Sequence, residues 1–494
     1  MTPPPAHRLE GIIQVLRDAG LLLEVRGSED AGVSGVSHDS RTTREGDLFV
    51  AWHGTIADGH EYVDDAVAAG ATAVVCERPM DVDVPCLMVR DGRAAAAHAG
   101  QWVQNRPSDE LTLAAVTGTN GKTTTALLLR HLLADRARTA VVGTLGFVGP
   151  DGIAHPETAA LTTPGPVEFA RRLRACVDDG VDIVVFEASS HALDQHRFDS
   201  VVVDVAVFTN LSRDHLDYHG DMSGYRAAKL RLVEHLGPRG TAVVNVADPA
   251  WRDVRGPRTL TFAVDGAPDG GDLHAVDVRT DRTGTDFTLI HRGVRHAARI
   301  PLVGAFNVEN ALAAAGAALA LGRSLESVLQ RLRTAPQVPG RLERVVDGPV
   351  VVLIDFAHTP DALARVLATL RPLVPGRLIV LFGAGGDRDE TKRPRMAAAV
   401  ARLADLVVLT SDNPRTEDPE KILDDLEAGL EGVDFVREAD RRAAIRTAIA
   451  SAEEGDLVLL AGKGHERTQT IGTEKWPFDE AEIARTAWAE RGAA

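Results

Sequence analysis

Residues 117–125 run Thr-Gly-Thr-Asn-Gly-Lys-Thr-Thr-Thr, a pattern suited to gripping a polyphosphate. Gly118 and Gly121 let the backbone turn so that the amides of Thr119, Asn120 and onward to Thr124 face an anion. A helix opening behind them adds the positive end of its dipole. Lys122 then reaches the β- and γ-phosphates, and the Thr123 hydroxyl suits Mg²⁺. The run follows an apolar strand at 111–116 and precedes an apolar-periodic helix at 126–133, the strand–loop–helix setting such a loop needs. A strict P-loop carries glycine where this chain has Val116. The competing reading is a glycine-bearing turn with no ligand.

A nucleotide site also needs a cation to neutralise charge during phosphoryl transfer. Mg²⁺ prefers oxygen ligands and keeps waters, so few protein groups suffice. Glu187 ends an apolar strand at 181–186, and His215 lies in Asn-Leu-Ser-Arg-Asp-His-Leu-Asp (210–217) just past the next strand. In a parallel sheet both emerge at the carboxyl edge, beside the phosphate loop. The alternatives are a solvated loop acid for Glu187 and a helix-capping or core histidine for His215. Lys229, in Tyr-Arg-Ala-Ala-Lys (225–229), reads without other knowledge as a helix-surface lysine.

These groups need rigid elements to hold them. At 494 residues the chain exceeds one ordinary core, and about 100–200 residues per domain implies roughly three. Residues 1–107 read as a small α/β unit, with strands at 46–52 and 71–77, a helix at 62–69 and a polar linker at 105–110. Residues 108–338 carry short apolar strands at 111–116, 181–188, 203–211 and 241–246 with helices between several of them, which implies crossover units and a largely parallel sheet. Alternation at 260–303 reads as an antiparallel patch, and a helix follows at 308–321. Residues 339–494 alternate strands at 350–356, 377–382, 405–410 and 456–461 with helices starting near Pro360, Arg393, Pro419 and Arg441, a doubly wound α/β pattern.

Composition is that of a globular protein, 44% hydrophobic and 25% charged. A net charge of −17 disfavours non-specific nucleic-acid binding. No stretch approaches about 18 uninterrupted apolar residues, and the amino terminus shows no signal peptide. Cys76, Cys86 and Cys176 form no C-x-x-C pair, so core packing in a reducing cytoplasm is expected rather than a disulfide framework.

Seven blocks together resemble the Mur ligase family: TGTNGKTTT, EASSHALDQHR (187–197), TNLSRDHLDYHG (209–220), GAFNVENALAA (304–314), GRLE (340–343), DFAHTPDAL (355–363) and GKGHE (462–466). The resemblance implies three domains: a small amino-terminal α/β domain for the UDP end of the substrate, a central P-loop-type ATPase with a parallel sheet, and a carboxy-terminal Rossmann-like domain for an amino acid. By matching positions, Ser40 and the Thr55, Ile56, Ala57 segment would contact UDP. Thr162, Thr163, Ser189, Gln195 and Arg197 would hold a muramoyl-dipeptide. Asn310 would lie near adenine, and Arg341 and His358 would reach ATP from across a domain boundary. Glu187 and His215 become Mg²⁺ ligands. Lys229 matches the family's carbamylated lysine, whose anionic carbamate orients a second Mg²⁺.

The resemblance also implies that Asp412, Asn413, Pro414 and Arg415 mark meso-diaminopimelate as the incoming amino acid. The Arg415 guanidinium suits the distal carboxylate that lysine lacks. Asp412 and Glu466, with Gly462 beside them, suit the distal ammonium, and Arg388 another carboxylate. Such pairing can discriminate by about 10⁴-fold. The plainer reading of 412–415 is an ordinary Asn-Pro turn. Phe356 departs from the family, where tyrosine is common.

The implied reaction is ATP-dependent addition of meso-diaminopimelate to the D-glutamyl γ-carboxylate of UDP-MurNAc-L-Ala-D-Glu, through an acyl phosphate. ADP and phosphate are released, in peptidoglycan synthesis by a cytoplasmic monomer serving cell shape and division. Three alternatives stand beside it. L-lysine would be the amino acid; the chain would be a folylpolyglutamate synthetase, against which residues 1–107 argue; or it would be a P-loop switch without ligase chemistry.

Overall fold

The computed structural model describes residues 7–54, 57–265 and 271–493, so Thr55 and Ile56 lie outside the described residues. Two compact units emerge. One extends to Ala275 and takes in Leu289–Arg295 and Glu309–Arg331; the other comprises Val276–Thr288, His296–Val308 and the chain from Leu332 onward.

The first unit holds two main sheets beside a two-stranded pairing of His7–Arg8 with Gly32–Val33. The smaller orders its strands Leu22–Arg26, Cys86–Val89, Ala73–Cys76, Asp47–Val50, Gly35–Ser37, parallel except at the first pair. The larger runs Ala154–His155, Gly146–Val148, Thr139–Gly143, Ile183–Glu187, Thr112–Thr117, Val203–Phe208, Leu236–Asn245, Arg258–Val264. From Thr139–Gly143 to Arg258–Val264 every pairing is parallel. Its central strands are apolar runs because helices cover both faces. Helix Pro166–Asp178 starts at a proline, which costs no helical hydrogen bond there, and turns Val167, Phe169, Leu173 and Cys176 inward. Phe186 meets Phe169 and Phe198 edge-on at 5.1 Å in each case. Truncating Leu173, which packs among them, to alanine would cost about 2–5 kcal/mol.

Two expectations change. Strand Arg258–Val264 pairs in parallel with Leu236–Asn245 and with Leu273–Asp281, not antiparallel. Alternation reports a half-buried strand but not its direction. The stretch taken as a linker is held in place: Pro107 and Ser108 are buried in a short 3-10 turn, and Gln101 accepts the Ser108 amide. Cys76 and Cys86 are buried as expected, and their sulfurs lie 2.9 Å apart on paired strands.

The second unit carries a sheet ordered Glu343–Val346, Val351–Asp355, Leu457–Ala461, Leu378–Phe382, Leu406–Leu409, Asp434–Arg437, parallel beyond its first pair. Helices open at Pro360, Arg393, Pro419 and Arg441, as the sequence predicts. Among the described residues no helix is long and apolar enough to cross a membrane.

Candidate active site

Strand Thr112–Thr117 delivers the phosphate loop, and helix Lys122–Leu133 leaves it. The helix starts four residues before its apolar periodicity, because Thr123, Thr124 and Thr125 are polar yet buried. Its cap is Gly121, at φ +84°, which brings no side chain of its own to the first turn. A helix start of this kind suits an anion. Glycine is required at 121: a Cβ there would sit 2.1 Å from Asn310 Oδ1. Asn310 thus lies against the loop. Lys122 folds back, its Nζ donating to the carbonyls of Gly118 and Thr119 at 2.9 and 2.8 Å. Thr119 N and Asn120 N donate to the Asn210 carbonyl and side chain at 2.8 and 2.9 Å, so part of the loop is already braced by the strand-end segment at 209–212.

Glu187 is not a solvated loop acid. It is 1% exposed, and its carboxylate accepts from the Thr144 amide and hydroxyl, both at 2.9 Å. Gly143 permits this approach, since a Cβ there would meet Glu187 Oε1 at 2.2 Å. Lys229 is not on the surface either. It ends helix Met222–Leu230, is 1% exposed, and donates to the Gly118 carbonyl at 2.8 Å with its Nζ 4.7 Å from the Tyr225 ring. Burial, reinforced by Lys122, pushes its ammonium well below the usual lysine range.

His215 precedes the short helix Leu216–His219, at the cap position but with no capping bond from its side chain. Its ring stands edge-on to His191 at 4.8 Å. Burial, and then the Lys122 and Lys229 charges, lower its pKa despite Asp214. His191, which the sequence reading passed over, falls to about 4 through burial and the neighbouring His215 and His219. Neutral imidazoles keep a lone pair for a metal. Among the described residues no group of three or more His, Cys, Asp or Glu could hold a metal unaided. Mg²⁺ takes only one or two protein carboxylates and completes its shell with water and nucleotide phosphates, so the single carboxylate of Glu187 is compatible with it.

The five residues expected at the dipeptide lie in one bonded patch beside Glu187. Thr163 Oγ1 donates to the Glu187 carbonyl at 2.6 Å and accepts from Ser189 N at 3.1 Å. Arg197 donates to the Thr163 carbonyl at 2.7 Å and to Gln195 Oε1 at 2.8 Å. Thr162 takes a long contact, 3.5 Å, from Thr144. Ser40 opens a 3-10 turn capped by Asp39, and Ala57 is exposed beyond the undescribed pair.

In the second unit the candidate residues share the carboxyl edge of the parallel sheet, where open α/β sheets bind ligands. They sit on the loops after Asp355, Phe382, Leu409 and Ala461. Arg415, at φ +52°, donates to the Gly386 carbonyl at 2.7 Å, while Gly386 N donates to the Asn413 carbonyl at 2.9 Å. Asp387 accepts the Thr416 amide at 3.1 Å, and Glu417 accepts the Asp387 amide at 3.1 Å. This clamp fixes the loop of exposed Arg388 against the turn of Arg415. Glu417 is locked in turn by fully buried Arg393 through bonds of 2.7 and 2.6 Å.

Asp412 is buried, with Gly462 beside it, and Glu466 is half-buried. Pro414 passes between Asn413 and Arg415, where a Cβ on Gly386 would collide with its carbonyl at 1.9 Å. The Phe356 ring, where the family commonly has tyrosine, stacks beneath the Arg341 guanidinium at 4.7 Å and meets His358 edge-on at 4.6 Å. His465 lies 5.1 Å from the same ring.

Comparison with known proteins fits this geometry. Residues 116–318 match the Mur ligase middle domain, 340–464 the Mur ligase glutamate ligase domain, and 32–108 the Mur ligase family catalytic domain. Over 482 residues, 94% of this chain and 96% of the relative, the sequence is 45% identical to the UDP-N-acetylmuramoyl-L-alanyl-D-glutamate–2,6-diaminopimelate ligase of Synechococcus elongatus. The protein of the same name from Gloeobacter violaceus is 43% identical over 493 residues, 99% of each chain. A solved structure of a UDP-N-acetylmuramoyl-L-alanyl-D-glutamate–2,6-diaminopimelate ligase has a TM-score of 0.70 at 32% identity, covering 99% of each chain. MurF from Acinetobacter baumannii, at 22% identity, 100% coverage of both chains and a TM-score of 0.65, shares the fold.

Proposed function

This chain belongs to the Mur ligase family, and from that premise we propose that it joins meso-diaminopimelate to the D-glutamyl γ-carboxylate of UDP-MurNAc-L-Ala-D-Glu at the expense of ATP. It is an ADP-forming acid–amino-acid ligase of peptidoglycan synthesis. The observation that carries the nucleotide half of this reading is the helix start capped by a glycine, Gly121, and overarched by Lys122.

The Lys122 ammonium and the amides at the helix start, Thr123 and Thr124, hold the β- and γ-phosphates. They stabilise charge on the transferring group without reorganising. The Thr119 and Asn120 amides, expected to face the anion, are instead bonded to Asn210 and fix the turn. Thr162, Thr163, Ser189, Gln195 and Arg197 orient the dipeptide so that its γ-carboxylate oxygen attacks the γ-phosphorus, and the bond to the ADP oxygen breaks. The diaminopimelate amine, having lost its proton, then attacks the acyl carbon and phosphate leaves. Arg415 and Arg388 take carboxylates of the incoming amino acid, with Asp412, Asn413, Pro414, Gly462 and Glu466 around its ammonium. Asn310 serves the adenine side of the nucleotide, Arg341 and His358 its phosphates, and Ser40 with Thr55, Ile56 and Ala57 the UDP group.

Glu187, His215 and the Thr123 hydroxyl would hold Mg²⁺, which supplies charge neutralisation at the phosphates when bound. Lys229 would carry a CO₂-derived carbamate as a further anionic ligand. Its burial and the nearby Lys122 cation favour the neutral amine, the form that reacts with CO₂. The reading takes the enzyme as a cytoplasmic monomer serving cell-wall growth, cell shape and cell division.

The test is positional. With radiolabelled ATP, UDP-MurNAc-L-Ala-D-Glu and no amino acid, phosphate should be recovered linked to the dipeptide. Recovery of free phosphate alone, from direct attack of water, would contradict the scheme.

A further inference from the structure

Lys463 has no part in the chemistry above, yet it is a fully buried cation on the amino-acid edge, at 0% exposed. Its Nζ donates to Asn413 Oδ1 and to Glu466 Oε2, both at 3.1 Å, and lies 3.7 Å from Asp412 Oδ1. Asn413 is thereby oriented. Its oxygen also accepts the Thr470 amide at 2.9 Å, and its Nδ2 donates to Glu466 at 2.9 Å. One ammonium therefore ties the loop after Leu406–Leu409 to the loop after Leu457–Ala461.

Asp412 is 8% exposed, and its Oδ1, which has no hydrogen-bond partner among the described residues, has the Lys463 ammonium as its nearest counter-charge. Behind it, Arg441 caps the Ser411 and Ala461 carbonyls at 3.3 and 2.9 Å and pairs with buried Glu480 at 2.7 Å. Charges thus alternate inward from the loops, with Asp412 and Glu466 outermost, then Lys463, then Glu480 and Arg441. Without Lys463 the two outer carboxylates would repel each other in a low-dielectric setting, and neither would keep its orientation.

We propose that Lys463 is a positioning residue for amino-acid recognition, holding Asp412, Asn413 and Glu466 in register so that the two carboxylates keep the orientation that receives the ammonium of the bound amino acid. This rests on the reading that these loops take diaminopimelate. Lys463 itself touches no substrate. It acts by cancelling the repulsion of the two acids and fixing the Asn413 amide between them.

The test uses the full-length enzyme with Lys463→Met, which keeps length and volume but removes the charge, and Lys463→Arg, which restores it. For Lys463→Met the KM for diaminopimelate should rise about tenfold or more. The KM values for ATP and UDP-MurNAc-L-Ala-D-Glu, and acyl-phosphate formation without amino acid, should stay within about twofold of wild type on the same criterion. Lys463→Arg should recover part of the loss. Should Lys463→Met not fold, Lys463→Gln serves the same comparison. An unchanged diaminopimelate KM, or a parallel rise in all three KM values, overturns the proposal. Wild-type enzyme that fails to use diaminopimelate would instead sink the functional reading, a separate outcome.

Discussion

Lys122 and Lys229 share one acceptor: both ammonium heads donate to the Gly118 carbonyl, at 2.9 and 2.8 Å. Burial and the Lys122 charge push Lys229 toward its neutral amine, the form that takes up CO₂. A triphosphate at the loop and a carbamate formed on Lys229 would both lie beside the Lys122 charge.

Carbamate formation needs dissolved CO₂. Wild-type enzyme stripped of CO₂ and bicarbonate should lose most of its turnover and regain it on adding bicarbonate, as followed by ADP release. Lys229→Ala should be slow under both conditions. A bicarbonate response in Lys229→Ala equal to that of wild type would refute the role.

Gly121→Ala places a methyl group 2.1 Å from Asn310 Oδ1 at φ +84°. The variant should lose about 1 kcal/mol or more of stability and bind ATP at least tenfold more weakly. Thermal melts and nucleotide titration check both.

Arg415→Lys keeps the charge but gives up the planar fork. The kcat/KM for diaminopimelate should fall by about 10²-fold, while the KM for ATP is unchanged. Equal losses for every substrate would mean that Arg415 acts on the fold through Gly386 rather than on the amino acid.

Glu417 is held down to about 2 from an ordinary 4.5, chiefly by its bonds to Arg393 and against the opposing pull of burial. Because the folded value is depressed, its contribution to stability is complete above pH 4.5 and fades as pH falls toward 2. Melting temperatures should separate wild type from Glu417→Gln most at neutral pH, and the gap should close across that acid window. A gap that persists at pH 2 would contradict the ion-pair account.

The phosphate loop was legible because its chemistry is packed into nine consecutive residues with a strand before and a helix after. The places of Glu187 at a strand end and His215 past the next strand were legible, since the strands themselves are apolar runs. Lys229 was not legible from its neighbours. Whether a helical lysine is solvated or buried depends on what packs over it, here the Gly118 turn and the Tyr225 ring. Lys463 escaped notice for the same reason: a lysine between two glycines reads as a mobile surface group. The direction of strand Arg258–Val264 was misjudged because alternation carries no information on pairing sense.

The most direct measurement is ADP release by the full-length enzyme with UDP-MurNAc-L-Ala-D-Glu, run against a panel of amino acids. The account predicts rapid turnover with meso-diaminopimelate and a kcat/KM for L-lysine lower by about 10³-fold or more, because lysine offers Arg415 no carboxylate. Efficient use of lysine, or ADP release indifferent to the amino acid supplied, would contradict it.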